Sequence, residues 1–468
     1  SQGRIEPETI KSTWEKTDRI KESIHQGAYL IILDGVEQMQ KSASGDEFGK
    51  MIHRECTELL HYLADVPEAD GLCLVTTRYP LKDLDEWHER SYKNRSLIDL
   101  SIPDSLLMLR SRGVKGREEE MIGVINRHKG HALSLTSMAG YLNRYYDGDI
   151  KQAPEVEFVL SDKERFKDVN KLLRKYAEKM SASERIFLYI FSLFRTEVTE
   201  NDFAGVFRHE IEDTISNDVL VNMGELDFRD MINGLADWRL ISYDETKKAY
   251  TTHPLIKGYF ESDFDEKNKK LCHKRIYQYF GEFAPEQPET LEEMQPMFEQ
   301  VYHGCAAGLY DVVFDGVFWE KIKGIITHRL GAWETDLSLV RTFFPEGDLS
   351  QMPHVSKKAM QSWLLNEAGL ALLATGRPKE AEEPILAGVK MAIENKDGES
   401  SSVSYRNLAD LQFRSGELES GLESAKKALD GAEKAKSDED IIDSKADLAW
   451  ILHLLGKKEE AGKEFREA

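Results

Sequence analysis

Short apolar runs alternate with amphipathic stretches over the first hundred residues of the chain. Tyr29–Leu33 is an apolar run that stops at Asp34 and Gly35, and residues 71–78 form a second run of the same kind. Runs of this length that end in polar residues are typical of strands buried in a parallel sheet. Residues 48–64 carry apolar side chains near helical spacing. The pattern predicts a strand, a right-handed crossover helix and a second, parallel strand.

From about residue 101 to residue 150 the pattern is wholly helical. Ile102-Pro103-Asp104 predicts a helix start, because proline suits the first turn and aspartate suits a capping position. Two further helices are predicted over residues 117–128 and 131–146. Residues 151–158 contain Pro154 and have no clear period, which indicates a linker.

Residues 165–264 have a pattern typical of a winged-helix module. Four apolar helical stretches come first, over residues 172–180, 183–194, 201–207 and 228–240. Two short strands, residues 240–243 and 249–252, then face each other across a polar turn. Another helix is predicted over residues 255–260.

Only helices are predicted beyond about residue 265, and the end of the chain is repetitive. Gly376, Gly416 and Gly456 recur every 40 residues, and each glycine separates two helical stretches. A helix, a glycine turn and a second helix at a fixed period are typical of a helical solenoid similar to tetratricopeptide repeats (TPR). Residues 302–319, which contain Gly308, resemble an earlier and diverged unit.

The composition narrows the classes of function. The 62 Lys and Arg residues are outnumbered by 84 Asp and Glu residues, and the formal net charge is −22. This charge repels phosphate backbones and anionic bilayers, so nucleic acid and membranes are disfavoured as partners. No apolar run approaches the ~20 residues of a membrane-spanning helix. The four cysteines are far apart, so we expect reduced thiols in a cytoplasmic protein rather than a zinc site or a disulfide framework.

Polar side chains follow both predicted strands of the first hundred residues. Asp34 ends the first strand, Glu37 comes three residues later, and Arg78 ends the second strand. Ligands bind at the carboxyl ends of parallel strands. There, one carboxylate could hold Mg²⁺, a second could activate water, and a guanidinium could contact a phosphate. The alternatives are an aspartate that only terminates the strand and an arginine that is simply solvated.

His253 follows the second strand of the predicted wing and precedes Pro254. Its imidazole could donate a hydrogen bond to a bound diphosphate and so couple the winged-helix module to a nucleotide. The alternative is a histidine with a structural role in the turn, and the residues themselves do not separate the two roles.

Four segments, in this order and followed by repeats, resemble the STAND class of signalling ATPases, which contains the NACHT and NB-ARC proteins. They are residues 30–37, 75–78, 130–135 and 252–255. Asp34-Gly35-Val36-Glu37 is similar to the NACHT form of the Walker B motif, whose second acid stands three residues after the first. The likeness is strongest for bacterial STAND proteins with C-terminal tetratricopeptide repeats, and it covers nearly the whole chain.

The resemblance implies a nucleotide-gated sensor, as in bacterial antiphage defence. ADP would hold a closed monomer, and a protein or peptide ligand on the repeats would open it. ATP with Mg²⁺ would then replace ADP, and self-oligomerisation would activate an N-terminal effector. By position, Asp34 would bind Mg²⁺ and Glu37 would be the catalytic acid. Arg78 would sense the γ-phosphate and His253 would contact the β-phosphate of ADP. Slow ATP hydrolysis is expected of the full-length protein.

The chain departs from the family pattern at two places. The Walker A loop G-x-x-x-x-G-K-[ST] does not occur in the sequence. We therefore expect the chain to start just past that loop and these residues alone to bind nucleotide poorly. The family's Gly-x-Pro motif, whose proline packs on adenine, is Gly130-His131-Ala132 here. Gly130 and His131 are thus the candidate residues next to the nucleotide base, without the proline.

The predicted fold class is a multidomain, mostly α protein. The expected domains are a partial parallel α/β nucleotide-binding domain (1–100), a helical domain (101–160), a winged-helix domain (161–264), a second helical domain or diverged repeats (265–345), and a TPR-like α-solenoid (346–468). Two other functions stay open, a STAND-type transcriptional regulator and a nucleotide-free TPR scaffold. The apolar helix over residues 183–194 predicts packing rather than reading of a DNA groove, which disfavours the regulator.

Overall fold

The computed structural model describes most of the chain. The described residues are 13–24, 28–41, 48–52, 54–65, 71–77, 79–95, 99–155, 162–209, 217–395 and 398–468. The chain divides into two compact units, Ser1–Ile98 and Asp99–Ala468. The described residues are mostly helical, with short strands in both units, in keeping with the predicted mostly α class. None of the described helices is long and apolar enough to cross a membrane.

The first unit contains a two-stranded parallel sheet. Strand β1 is Tyr29–Leu33 and strand β2 is Gly71–Val75, and the first residues of the two strands lie opposite each other. Helix α1 is Thr13–Ile24, and helix α2, between the strands in sequence, is Arg54–Asp65. The predicted parallel pairing of the two strands is confirmed.

The start of the predicted crossover helix is wrong. The sequence pattern places its beginning at residue 48, whereas helix α2 begins at Arg54. Met51 instead forms an isolated antiparallel bridge with Gln40, and its backbone amide donates to Asp83 Oδ2 at 2.7 Å. These partners are distant in sequence, so helical periodicity alone does not reveal them.

One face of the two-stranded sheet is apolar and exposed. Leu30 and Ile32 of β1 lie beside Leu72 and Leu74 of β2, and each is between 51% and 62% exposed. Leu33, on the opposite face, packs against the small core of the unit. Since parallel sheets are normally covered on both faces, the exposed aliphatic face is a surface suited to a further apolar element.

The second unit begins with three helices, as predicted. They are α3 (Ile102–Ser111), α4 (Glu118–His128) and α5 (Ala132–Tyr146). The predicted cap of α3 is wrong, because Ser101 and not Asp104 precedes the helix. The Ser101 hydroxyl accepts a hydrogen bond from the Asp104 backbone amide at 3.3 Å. The predicted linker starts within a short 3₁₀ turn, Ile150–Gln152, and its residues 156–158 lie outside the described residues.

A group of helices and a small sheet follow. The helical segments are α6 (Asp162–Ala177), α7 (Ala182–Leu193), α8 (Glu200–Asp202), which continues as the π-helical Phe203–Phe207, then the π-helical turn Asn217–Val221, α9 (Glu225–Asp237) and α10 (Pro254–Asp263). Strands β4 (Ser242–Asp244) and β5 (Ala249–Thr251) form the predicted antiparallel hairpin. A further strand, β3 (Val198–Thr199), pairs with β5 on its other side and was not predicted. At two residues it is too short to show an alternating pattern.

Helix α7 is a packing helix, as predicted from its composition. Phe187 is fully buried, and the centroid of its ring lies 4.8 Å from that of Phe207 and 5.6 Å from that of Phe203. One continuous core extends from Leu109 to Tyr279 and includes this aromatic cluster. Because its apolar side chains are committed to this core, helix α7 offers little surface for reading a DNA groove.

The remainder of the second unit is helical. It comprises α11 (Glu266–Glu282), α12 (Gln295–Ala306), α13 (Tyr310–Val313), which continues as the π-helical Phe314–Arg329, α14 (Trp333–Arg341), α15 (Lys358–Ala374), α16 (Pro378–Asn395), α17 (Gly398–Arg414), α18 (Leu418–Ala435), α19 (Asp438–Leu454) and α20 (Lys458–Glu467). From α15 onward the helices form three hairpins whose first helices start 40 residues apart. Gly376, Gly416 and Gly456 have φ values of 77°, 82° and 79°, a left-handed conformation that glycine adopts without strain. The predicted 40-residue repeat is confirmed.

A buried charged cluster lies where the π-helical stretch packs against α14 and α15. The Lys323 ammonium forms an ion pair with Glu367 and lies 3.6 Å from Asp336 Oδ2. Asp336 is fully buried, and Lys323 lies over the rings of Trp333 and Trp363. Burial, and after it the neighbouring Glu367 carboxylate, raise the pKa of Asp336 to about 8. At neutral pH, Lys323 is thus paired with the Glu367 carboxylate, while Asp336 keeps its proton.

We expect Lys323→Met to destabilise the second unit by about 3–5 kcal/mol, because removal of one partner leaves buried charge without compensation. Urea unfolding followed by tryptophan fluorescence measures this loss, with Trp333 and Trp363 as local reporters. Lys321→Met, at an exposed position of the same helix, is the control. Equal effects of the two substitutions would contradict the role of the cluster.

The raised pKa of Asp336 also predicts how stability depends on pH. The folded state keeps a proton that the unfolded state releases above about pH 4, so this stabilisation is lost as the pH rises through about 8. Asp336→Asn should therefore flatten the decrease in unfolding free energy between pH 5 and pH 9. Urea unfolding at several pH values measures the slope, and an unchanged slope in the variant would show that Asp336 is already ionised.

Candidate functional site

The carboxyl edge of the β1–β2 sheet carries the predicted strand-end acid. Asp34 is exposed and directly follows β1, and the Thr76 hydroxyl donates a hydrogen bond to Asp34 Oδ1. Thr76 Oγ1 also accepts from the Gly35 backbone amide at 2.9 Å. The backbone pairing continues one step past the strands, since the Thr76 amide donates to Leu33 O at 2.9 Å. These contacts fix the Asp34 carboxylate at the sheet edge.

Glu37 lies one short turn beyond Asp34. Gly35 has a φ of 69° and a ψ of 36°, so the chain turns at once into the 3₁₀ segment Val36–Met39, which contains Glu37. Val36 is buried in the core of the unit and anchors this segment, while Glu37 is half-buried. Two carboxylates therefore follow the carboxyl end of β1 within four residues.

The carboxylates and the threonine hydroxyl are oxygen groups of the type that Mg²⁺ prefers. Mg²⁺ is commonly bound by one or two carboxylates together with waters and substrate phosphates. Among the described residues, no group of three or more His, Cys, Asp or Glu side chains forms a metal cage. Asp34, with Glu37 near it in sequence, fits the partial and phosphate-dependent kind of Mg²⁺ site rather than an all-protein one.

The segment after β2 is held by a buried glutamine that the sequence analysis missed. The predicted strand over residues 71–78 ends at Val75, and the Thr77 hydroxyl donates to Gln40 Oε1. The Gln40 amide donates in turn to Gly49 O at 2.6 Å and to Pro80 O at 3.0 Å. The only sequence sign of this arrangement is the polar Thr76-Thr77 pair after an apolar strand. Arg78, the predicted phosphate sensor, lies outside the described residues.

Gly130 lies in the tight turn between α4 and α5. Its φ is 72°, and a Cβ atom at this position would lie 2.2 Å from the Leu100 carbonyl oxygen. The Leu100 backbone amide donates to Gly130 O at 2.8 Å. Gly130 thus brings the two backbone segments into close contact, which is a structural reason for glycine that holds without any nucleotide.

His131 is the N-cap of helix α5. Its Nδ1 accepts a hydrogen bond from the Ser134 backbone amide at 3.3 Å. The neighbouring His128 is buried, and its Nδ1 lies 2.6 Å from Ser134 Oγ. Burial is the main cause that lowers the pKa of His128 to about 4. Ala132 is the first residue of the helix and is exposed.

His253 has a comparable position at the start of α10. It is exposed, and its Nδ1 accepts from the Leu255 backbone amide at 3.2 Å, while Pro254 occupies the first turn. Since Nδ1 accepts, the proton of the neutral ring is on Nε2, the tautomer that can donate to an anion through Nε2. The N-terminus of a helix of this length also favours negative charge. His253 therefore has a structural role as a cap, and this role is compatible with a phosphate contact.

The candidate residues are divided between the two units. Asp34 and Glu37 belong to the first, and Gly130, His131 and His253 belong to the second. The predicted convergence of these residues on one polyphosphate site, together with Arg78, stays a prediction.

Among known proteins, the chain matches solved structures only. No family model matches the chain, and no curated protein matches it in sequence. Seven chains of solved structures match. One is the crystal structure of a Signal Transduction ATPase with Numerous Domains (STAND) protein with a tetratricopeptide repeat sensor from Pyrococcus horikoshii. That match has a TM-score of 0.42 and 13% sequence identity, and it covers 97% of this chain and 69% of that chain. At these values the similarity assigns no residue role and no activity to this chain.

We expect Gly130→Ala to lower the unfolding free energy of the second unit by about 1–3 kcal/mol. The new Cβ atom would meet the Leu100 backbone, which cannot easily move aside. Urea unfolding measures the loss. Gly123→Ala is the matched control, since this glycine lies within α4 and a Cβ there meets no atom within 4 Å. Alanine at Gly123 should be neutral or stabilising. Similar losses in both variants would contradict the close contact with Leu100.

Proposed function

We propose that this chain is the switch and sensor portion of a STAND-type signalling ATPase, in which exchange of ADP for ATP controls self-assembly. The observation that carries the proposal is the carboxyl edge of the parallel sheet, where the Thr76 hydroxyl fixes the Asp34 carboxylate and Glu37 follows on the next turn. This is the edge at which open α/β sheets bind ligands.

Each acid at this edge has a distinct role in the proposal. Asp34 would hold Mg²⁺, directly or through a coordinated water, and its hydrogen bond from Thr76 would orient the carboxylate. Glu37 would orient or deprotonate the attacking water during slow hydrolysis of ATP. The bound ion would neutralise charge on the phosphates.

The remaining contacts in the proposal come from other parts of the chain. Arg78 would contact the γ-phosphate, because its planar guanidinium donates to phosphate in a bidentate manner. His253 would donate from Nε2 to the β-phosphate of ADP. Gly130 and His131 would lie at the base. The sequence has no Gly-Lys-Ser or Gly-Lys-Thr, so the phosphate-binding loop would have to come from outside these residues.

The solenoid would supply the sensor. Helices α15–α20 form a repetitive stack, and such stacks present extended surfaces to proteins and peptides. We propose that a protein or peptide ligand on this stack favours the ATP-bound state, which then self-oligomerises and activates an N-terminal effector. A role in bacterial antiphage defence is the biological setting that we favour. A transcriptional regulator is disfavoured by the burial of helix α7, and a nucleotide-free scaffold remains the second candidate.

The test uses two substitutions of His253 that separate its two roles. His253→Ala removes both the helix cap and the imidazole donor. His253→Ser removes the donor but keeps a good N-cap residue, so helix α10 should stay intact. In the protein expressed from its complete gene, we expect wild type to be purified with bound ADP. Both variants should bind ADP about 10–100-fold more weakly, since a charge-assisted hydrogen bond to phosphate is worth about 1.5–3 kcal/mol.

Bound nucleotide is measured by chromatography of the denatured protein, and affinity by titration with ADP and Mg²⁺. If His253→Ser retains ADP as wild type does and His253→Ala does not, the histidine is only a cap. If neither variant changes ADP binding, His253 has no part in the nucleotide site. A wild-type protein that contains no nucleotide and binds none when it is added would overturn the ATPase proposal in favour of the scaffold.

A further inference from the structure

Two hydrophobic cores of the second unit meet where helix α11 packs against helix α12. Ile276 and Tyr279 of α11 belong to the core that also contains α7 and α9. Val301 of α12 belongs to the core that also contains α14 and α15. At this boundary the two helices bring together a buried pair of histidines, His273 of α11 and His303 of α12. The contact between the two cores is therefore partly polar.

The two rings face each other through the same nitrogen atom. His273 is 4% exposed and His303 is 0% exposed, and their Nδ1 atoms lie 2.8 Å apart. This distance requires an N–H···N hydrogen bond in which one ring donates and the other accepts. A single proton therefore lies between the two Nδ1 atoms. If both rings were charged, each Nδ1 atom would carry hydrogen and two N–H groups would face each other.

Charged side chains from each neighbouring element surround the pair. Glu299 of α12 is buried, and its Oε2 lies 3.5 Å from His303 Nε2. Arg195, which follows α7, lies 3.9 Å from Oε1 of the same carboxylate. Among the described residues, the other charged groups that act on this cluster are Lys257 and Glu261 of α10 and Lys269 of α11. Because Arg195 already accompanies Glu299, a proton added to a ring would be a further buried positive charge.

These surroundings keep both imidazoles neutral. Burial, and after it the neighbouring His303, lower the pKa of His273 to about 3. Burial also lowers the pKa of His303, although the Glu299 carboxylate acts in the opposite direction. In water each ring would titrate near pH 6.5. The packed junction thus binds fewer protons than an open one, so its stability is lost as the pH falls below about 6.5.

We propose that the His273–His303 pair is a proton-sensitive junction between the two cores, at which acidification separates α12 from α11. Protons taken up from solvent would break the N–H···N bond or bury charge beside Arg195. Opening would expose the charged rings to water, which removes the cost of burying them. Since α12 shares its core with the first repeat helix, opening would free the repeat region from the helices before it. This junction does not depend on a bound nucleotide.

Hydrogen exchange at pH 7.5 and at pH 5.5 tests the junction in the protein expressed from its complete gene. Exchange rates from mass spectrometry are divided by the intrinsic rate at each pH, which gives the opening constant of each helix. We expect the opening constant of α12 to be about 10–100-fold larger at pH 5.5, because each ring that regains its ordinary pKa contributes about tenfold. Helix α18 contains no histidine and should change little.

Asparagine variants remove the titrating rings. His273→Asn and His303→Asn each leave an amide that can donate and accept a hydrogen bond. His273→Asn alone should reduce the response of α12 to acid, and the double variant should abolish it. His453→Asn, at an exposed position of α19, is the matched control and should respond as wild type does. Each variant is compared with itself at two pH values, so a loss of stability that does not depend on pH leaves the result unchanged.

An opening constant of α12 that does not rise at pH 5.5 in the wild type would overturn the proposal. A response to acid that persists in the double variant would overturn it as well, because other groups would then cause the response. If α18 responds as strongly as α12, acid unfolds the whole unit and the histidine pair is not a local junction.

Discussion

The main constraint on this chain is that its elements bury their apolar faces only against a neighbouring element. In the solenoid, α17 packs on the first hairpin and α19 packs on the second, so neighbouring hairpins depend on each other. In the first unit, by contrast, one apolar face of the sheet is exposed. Leu30 and Leu72 lie side by side on an exposed face of a parallel sheet, a type of sheet that is normally covered on both faces. Stability is therefore a property of the stacked elements, and single helices or strands contribute little alone.

Features with a strong period could be predicted from the sequence. The apolar runs of β1 and β2, the hairpin of β4 and β5, and the 40-residue repeat were all predicted and are present. Features that depend on contacts between distant residues could not be predicted. Met51 lies outside the expected helix because its backbone amide donates to Asp83 and the residues on either side of it pair with Met39 and Lys41. Strand β3 is defined by its pairing with β5, which is distant in sequence. The start of α3 was predicted correctly, but its capping residue is Ser101 and not Asp104.

The acidic residues of the candidate site could be named from the sequence, but the residues that hydrogen-bond to them and hold them in place could not. Asp34 could be found because a strand-end carboxylate is visible in the sequence itself. The hydroxyl that fixes it belongs to Thr76, 42 residues away, and only the parallel register of the strands brings the two together. The buried Gln40 is likewise 37 residues from Thr77, to which it is hydrogen-bonded. Sequence patterns thus find groups that do chemistry more easily than groups that hold them in place.

The two candidate histidines have a common geometry with consequences for a nucleotide switch. His131 and His253 each accept from a backbone amide through Nδ1, which fixes the ring at a helix start and places the neutral-ring proton on Nε2. A single contact of about 1.5–3 kcal/mol cannot move an equilibrium from 1:99 to 99:1, which takes about 5.5 kcal/mol. In the proposed switch, His253 would therefore have to act together with other contacts that differ between the two states.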